Sequence, residues 1–188
     1  MEGRSQSSGR EYPTTPILGF LKGGTVVRDR ASSHIHNQGN IKSLLSQALA
    51  SVEPKDRPFI TESVDFGREV GRSVCIETKE GDEIIFAQRQ GRQELTRFVK
   101  GREPEPTSSI TFGLLRDKEP GQNQYICLFA YMGPKSEVEP WDKNANDAAR
   151  TFWSSHALVW GTEPVVEGTE TKEEPVYFKK PVKKEGDK

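Results

Sequence analysis

The sequence is poor in the residues that build dedicated chemistry: 188 residues include only 2 cysteines and 3 histidines. With no CxxC pair and no Cys/His cluster, a structural zinc site has no ligand set, and neither metal nor cofactor is expected. Cys75 in RSVCIET and Cys127 in QYICLFAYM each sit in an apolar run, where a reduced thiol packs as a small hydrophobe. No stretch approaches the roughly 18 consecutive apolar residues of a membrane span. The opening MEGRSQSSGREYPTTP lacks the apolar core of a secretory signal. The expectation is therefore no membrane partner, no ordinary export and a cytoplasmic location. Charge of one sign is missing too: 27 Lys and Arg stand against 28 Asp and Glu, a formal net charge of -1, which excludes a globally basic nucleic-acid coat. There is no P-loop, no GxGxxG after a strand, no GxSxG elbow and no HExxH.

Apolar residues make up 32% of the chain, little for this length, so the core must come from the middle. Residues 1–16 and 162–188 read as loose tails around one α+β domain at 17–161. Within the second tail, only Val176-Tyr177-Phe178 is apolar enough to anchor to anything.

Two periodicities divide the domain. After Asn40, the residues Ile41, Leu44, Leu45, Ala48, Leu49 and Val52 recur at helical spacing, and Pro54 ends the segment. A second short helix is predicted over Asp147 to His156, with Phe152 as its clearest apolar contact. Before the first helix, apolar pieces at 17–20 and 25–27 flank Gly23-Gly24 as an irregular hairpin. From Phe59 onward the pattern is β. RSVCIET and EIIFAQR, around Glu80-Gly81-Asp82, predict one hairpin; SSITFGLLR and QYICLFAYM predict another, the latter strand apolar enough to be central. The expected architecture is an antiparallel sheet of about five or six strands with one to three short helices.

The stretch RQGRQELTRFVKGREPEPTSSIT carries the densest local charge. Arg89, Arg92, Arg97, Lys100 and Arg102 fall in a span where Glu94 is the sole anion before Glu103. If LTRFVK is a strand, alternation puts Arg97 on a face with Leu95 and Val99. A guanidinium on an apolar face is costly unless it is paired or lines a cleft, and such a cleft suits a phosphate. Lys100, Arg102 and Arg92 extend the patch, and Phe98 among them suits stacking of a base. Thr107, Ser108 and Ser109 follow, hydroxyls that either fill turn positions or donate to phosphate oxygens. His34 and His36 precede the first helix, and His156 lies between two tryptophans; any of the three is a candidate acid–base, since imidazole titrates near neutrality. Glu137, Glu139 and Asp142 read as one solvated loop.

This order of elements resembles the small bacterial ribonuclease toxins grouped with barnase, EndoU, colicin and RelE. The matching parts are His34 and His36 before IKSLLSQALASV, then KEGDEIIFAQR, LTRFVKGREPEPTSS and the hairpin ITFGLLR/YICLFAYMG, over roughly residues 28 to 133. The resemblance implies a metal-independent hydrolase that cleaves RNA by 2′-OH attack, with RNA and a cognate inhibitor protein as partners. His34 or His36 would be the acid–base and His156 the reserve. Arg97 with Lys100 or Arg102 would clamp the phosphate, and Thr107 or Ser109 would donate a hydrogen bond. The alternative is a non-catalytic interaction domain that docks a protein or a phosphate on residues 89–111. An ADP-ribosyl-transferring toxin would need a catalytic Glu beside an Arg, and no Glu is placed for it.

Overall fold

The computed structural model describes residues 15–30, 34–35, 39–117 and 123–179. Among these described residues it is an α+β fold, mostly sheet, with two α-helices. The expectation for residues 1–14 and 180–188 lies outside the described residues.

Helix α1, Ile41–Leu49, is the amphipathic segment the periodicity predicts: Ile41, Leu44, Leu45, Ala48 and Leu49 are all buried. Its apolar stripe lies on a six-stranded sheet made of β1 (Ile17–Phe20), β2 (Val26–Arg28), β3 (His34–Ile35), β4 (Phe59–Asp65), β10 (Ser109–Arg116) and β11 (Gln124–Met132). The main path runs β1-β2-β11-β10-β4, with β3 also against β11. Helix and sheet approach closely at Gly19, where a Cβ would stand 3.2 Å from the Ser46 Cα. β11 is central, as its apolar run predicts, and forms the expected hairpin with β10. The sheet is not purely antiparallel, because β2 and β3 both run parallel to β11. Val27, Leu45, Leu49, Ile60, Ile110, Phe112, Leu114 and Cys127 are fully buried here. Truncating a core leucine such as Leu45 to Ala costs about 2–5 kcal/mol.

A second sheet of four strands orders β6 (Cys75–Glu77), β12 (His156–Val159), β8 (Leu95–Lys100) and β7 (Glu83–Gln88). The expected sheet of five or six strands is present as the six-stranded one, and this second sheet is added to it; one correction follows, since β6 does not pair with β7. The Gly81 turn forms, with a φ of 90° and an Asp82 N–H to Lys79 O bond of 3.1 Å, but the strands leaving it diverge. β12 and β8 lie between them, and the hairpin is β7–β8 instead. A two-stranded ribbon of β5 (Gly71–Ser73) and β9 (Glu105–Thr107) completes the sheets. Helix α2, Asp147–Ser155, is capped by the Asn146 side chain, which accepts from the Ala149 N–H, and runs directly into β12. Its buried aromatic residue is Trp153, not Phe152.

The loose-tail expectation for 162–188 is corrected for its described part. Thr171 exchanges two backbone bonds of 2.8 Å with Phe86 on the outer edge of β7, and Val166 N–H bonds to Gln88 O at 2.7 Å. Val176–Phe178 forms a single 3-10 turn in which Phe178 is buried. The described tail is therefore docked: the backbone of Val166 and Thr171 covers an otherwise open sheet edge, and Phe178 packs beside it.

Candidate anion-binding site

β8 has a strand on each side, so its register places the two cations it carries, Arg97 and Lys100. Arg97 opposes Phe86 on β7, while Phe98 opposes Ile85 on one side and Leu158 of β12 on the other. One face of the second sheet therefore carries Thr96, Phe98, Leu158 and His156, and the other carries Leu95, Arg97, Val99, Phe86, Ala157 and Val159.

Most of the basic patch is neutralised within the chain. Arg89 bonds to Thr96 Oγ1 at 3.0 Å, to Glu163 at 3.3 Å and to Glu139. Thr96 Oγ1 in turn donates to Glu139 at 2.6 Å. Glu139 is 11% exposed, so the acidic loop expected to be solvated supplies a half-buried partner to Arg89. Arg102 binds Asp82 and Glu105, each at 2.7 Å. The Asp82 bond leads in holding the Arg102 guanidinium above its ordinary value. Lys100 lies 3.6 Å from Glu170 and 4.7 Å from the centroid of the Trp160 ring. Arg92 sits over the Trp141 ring at 5.6 Å. Phe98 is fully buried against Trp160, so its expected role in stacking a base is corrected.

Arg97 differs. It is partly buried, and no carboxylate of the described residues lies within ion-pair distance of it. Its Nη1 donates to the His156 carbonyl at 2.7 Å and, at a long 3.4 Å, to Thr78 Oγ1. Its Nε and Nη2 have no hydrogen-bond acceptor among the described residues. Burial pulls its pKa below the ordinary guanidinium value, against the opposing fields of Glu174 and Asp82. Part of its role is structural, since a cation that bonds the carbonyl at the end of α2 favours the negative end of the helix dipole. Thr78 Oγ1 donates to the Ser155 carbonyl at 3.2 Å and so ties β6 to the same helix end.

The other candidates do not gather here. His36 lies outside the described residues, and His34 is described by its backbone alone, which pairs with Phe129 in the first sheet. Thr107 and Ser109 join the ribbon to that same sheet: the Ser109 N–H donates to Thr107 Oγ1 at 3.2 Å, and Ser109 opposes Asp65. His156 touches Arg97 only through its backbone. Its ring stacks on Phe152 at 3.9 Å and 4°. Its Nδ1 lies 2.9 Å from the Phe152 carbonyl and 3.0 Å from the Ser155 hydroxyl, and a bond to the carbonyl, which only accepts, requires the proton on Nδ1. Glu77 opposes His156 across β6. Among the described residues no group of three His, Cys, Asp or Glu is arranged to hold a metal ion.

Sequence reasoning missed Thr78, Glu139, Glu163 and Glu170. Only the alternation of RSVCIET, which puts Thr78 in phase with Ile76, pointed to the first. The glutamates meet their cations across 50 to 74 residues, beyond any local pattern. No protein-family model matches the chain, and no curated protein or solved structure shows significant similarity to it. No helix among the described residues is long and apolar enough to cross a membrane.

Proposed function

We propose that the chain is a non-catalytic interaction domain that binds a phosphate-bearing ligand, such as an RNA backbone, at Arg97. The observation that carries this reading is the Arg97 guanidinium, partly buried beside the Thr78 hydroxyl, with no carboxylate partner and two nitrogens without an acceptor among the described residues. A desolvated cation of this kind gains more from an incoming anion than the paired Arg89 and Arg102 would.

Cleavage of the bound RNA by 2′-OH attack is the second reading, and one observation favours it. The Nδ1 contact with the Phe152 carbonyl orients the His156 ring and leaves Nε2 without a partner among the described residues. Against it, the register puts the imidazole on the face opposite Arg97.

Incubation of the protein with total RNA in EDTA, alongside a binding titration with labelled RNA, separates the two. Binding without cleavage, lost in Arg97→Ala, supports the interaction domain. Fragments with 2′,3′-cyclic phosphate ends, lost in His156→Ala, would replace it with the nuclease. Failure of the folded protein to bind either RNA or inorganic phosphate would overturn both.

A further inference from the structure

The segment after β12 crosses the face that carries Arg97. It enters along the outer edge of β7, where Thr171 pairs with Phe86. Phe178 then packs its ring against Phe86 at 5.1 Å. The Tyr177 hydroxyl accepts from the Leu95 N–H at 2.7 Å and donates to the Leu95 carbonyl at 3.2 Å. Phe86 is the register partner of Arg97, and Leu95 is the next residue on its face of β8. The chain thus brackets Arg97 at two neighbouring positions.

The bracket is acidic. Thr169-Glu170-Thr171-Lys172-Glu173-Glu174 carries three glutamates against one lysine. Glu174 leads the charges whose field opposes burial at Arg97, an attraction with which an incoming phosphate would compete, while Glu170 reaches Lys100 on the opposite face.

The bracket is also lightly held. Phe178 is its one buried side chain, Val176 is 78% exposed, and the Lys172–Glu83 contact is 4.0 Å between exposed groups, worth little to stability. Segments with few buried contacts open at lower free energy than the core they cover.

We infer that residues 169–179 form a displaceable acidic strap that closes the Arg97 site in cis, so that a phosphate-bearing ligand binds only when the strap lifts. This rests on the phosphate-binding reading of Arg97 and adds its regulation. Ligand affinity is scaled by the fraction of open molecules, so a strap that is open about one-tenth of the time weakens binding about tenfold.

The test compares the full chain with Phe178→Ala, which loosens the anchor, and with Glu174→Gln, which removes an exposed carboxylate and leaves the packing intact. Amide exchange at Phe86 and Thr171 reads strap opening, and a fluorescein-labelled single-stranded RNA reads the site. Phe178→Ala is expected to speed exchange at both amides and tighten RNA binding about tenfold, and Glu174→Gln to tighten it severalfold. Arg97→Ala should abolish binding in either background. Faster exchange with unchanged affinity would overturn the strap as a gate and leave the phosphate reading standing. Faster exchange with no RNA binding in any variant would overturn the phosphate reading itself. Unchanged exchange in folded Phe178→Ala, with unchanged affinity in Glu174→Gln, would show the segment to be a fixed part of the sheet.

Discussion

Phe86 and Arg97 are register partners on adjacent strands, so an aromatic ring and a guanidinium stand side by side on one sheet face, and that ring is the one on which Phe178 packs. The pairing couples the C-terminal segment to the cation: whatever moves Phe178 off Phe86 also changes what covers Arg97.

On the opposite face, Glu139 holds Arg89 and Thr96 together at low exposure. Glu139→Ala leaves Arg89 with Glu163 as its one carboxylate among the described residues and the buried Thr96 hydroxyl without its acceptor. A loss of about 2 kcal/mol is expected, read as a lower urea midpoint with an unchanged slope. A change under about 0.5 kcal/mol would mean that the network contributes no more than a solvated surface pair.

Gly113 on β10 faces Phe129 on β11, and a Cβ there would stand 2.3 Å from the Phe129 ring. Gly113→Ala is expected to destabilise the first sheet by about 1–3 kcal/mol through overpacking. Thermal melts of Gly113→Ala and of the double variant with Phe129→Leu check this, because the smaller side chain should recover much of the loss.

Asp82 is held below its ordinary value of 3.8, first by the Lys79 amide, with burial opposing and the Arg102 bond adding to the lowering. A carboxyl whose folded pKa is depressed contributes stability above its unfolded value and loses it as pH falls through the folded one. The Lys79 amide resonance should therefore titrate with a midpoint below 3.8, and Asp82→Asn should abolish that titration. A midpoint at or above that value would refute the assignment.

Burial pushes the Cys75 thiol up to about 11 and the Cys127 thiol up to about 12. Since the thiolate is the nucleophile, native protein at pH 8 should resist iodoacetamide at both sites and take two labels once unfolded. As pH rises, Cys75 should react first, which mass spectrometry of the peptides would show.

How legible the fold was depended on the range of the signal. Ile41, Leu44, Leu45, Ala48 and Leu49 announce α1 because one helix face is a local property of spacing. The β10–β11 hairpin was legible for the same reason, with two apolar runs and a turn between them. The β6–β7 pairing failed because Gly81 specifies a reversal of the chain and not which strand lies alongside after it. Trp153 displaced Phe152 as the buried aromatic because its indole N–H reaches the Glu137 and Val138 carbonyls, a contact invisible within the helix sequence. In the candidate site, alternation along LTRFVK rightly put Arg97 with Leu95 and Val99, but nothing in the stretch told that cation apart from Arg89 and Arg102.

By itself, then, the sequence determined α1, the β10–β11 hairpin and the face of β8 on which Arg97 stands, since each follows from neighbours a few residues apart. Tertiary structure alone decided that there are two main sheets and not one, that Arg89, Lys100 and Arg102 meet glutamates or an aspartate, and that the C-terminal segment lies across the β7 edge. Charge pairing and edge coverage depend on which side chains meet in space, and in this chain those partners are drawn from loops and a tail far along the sequence.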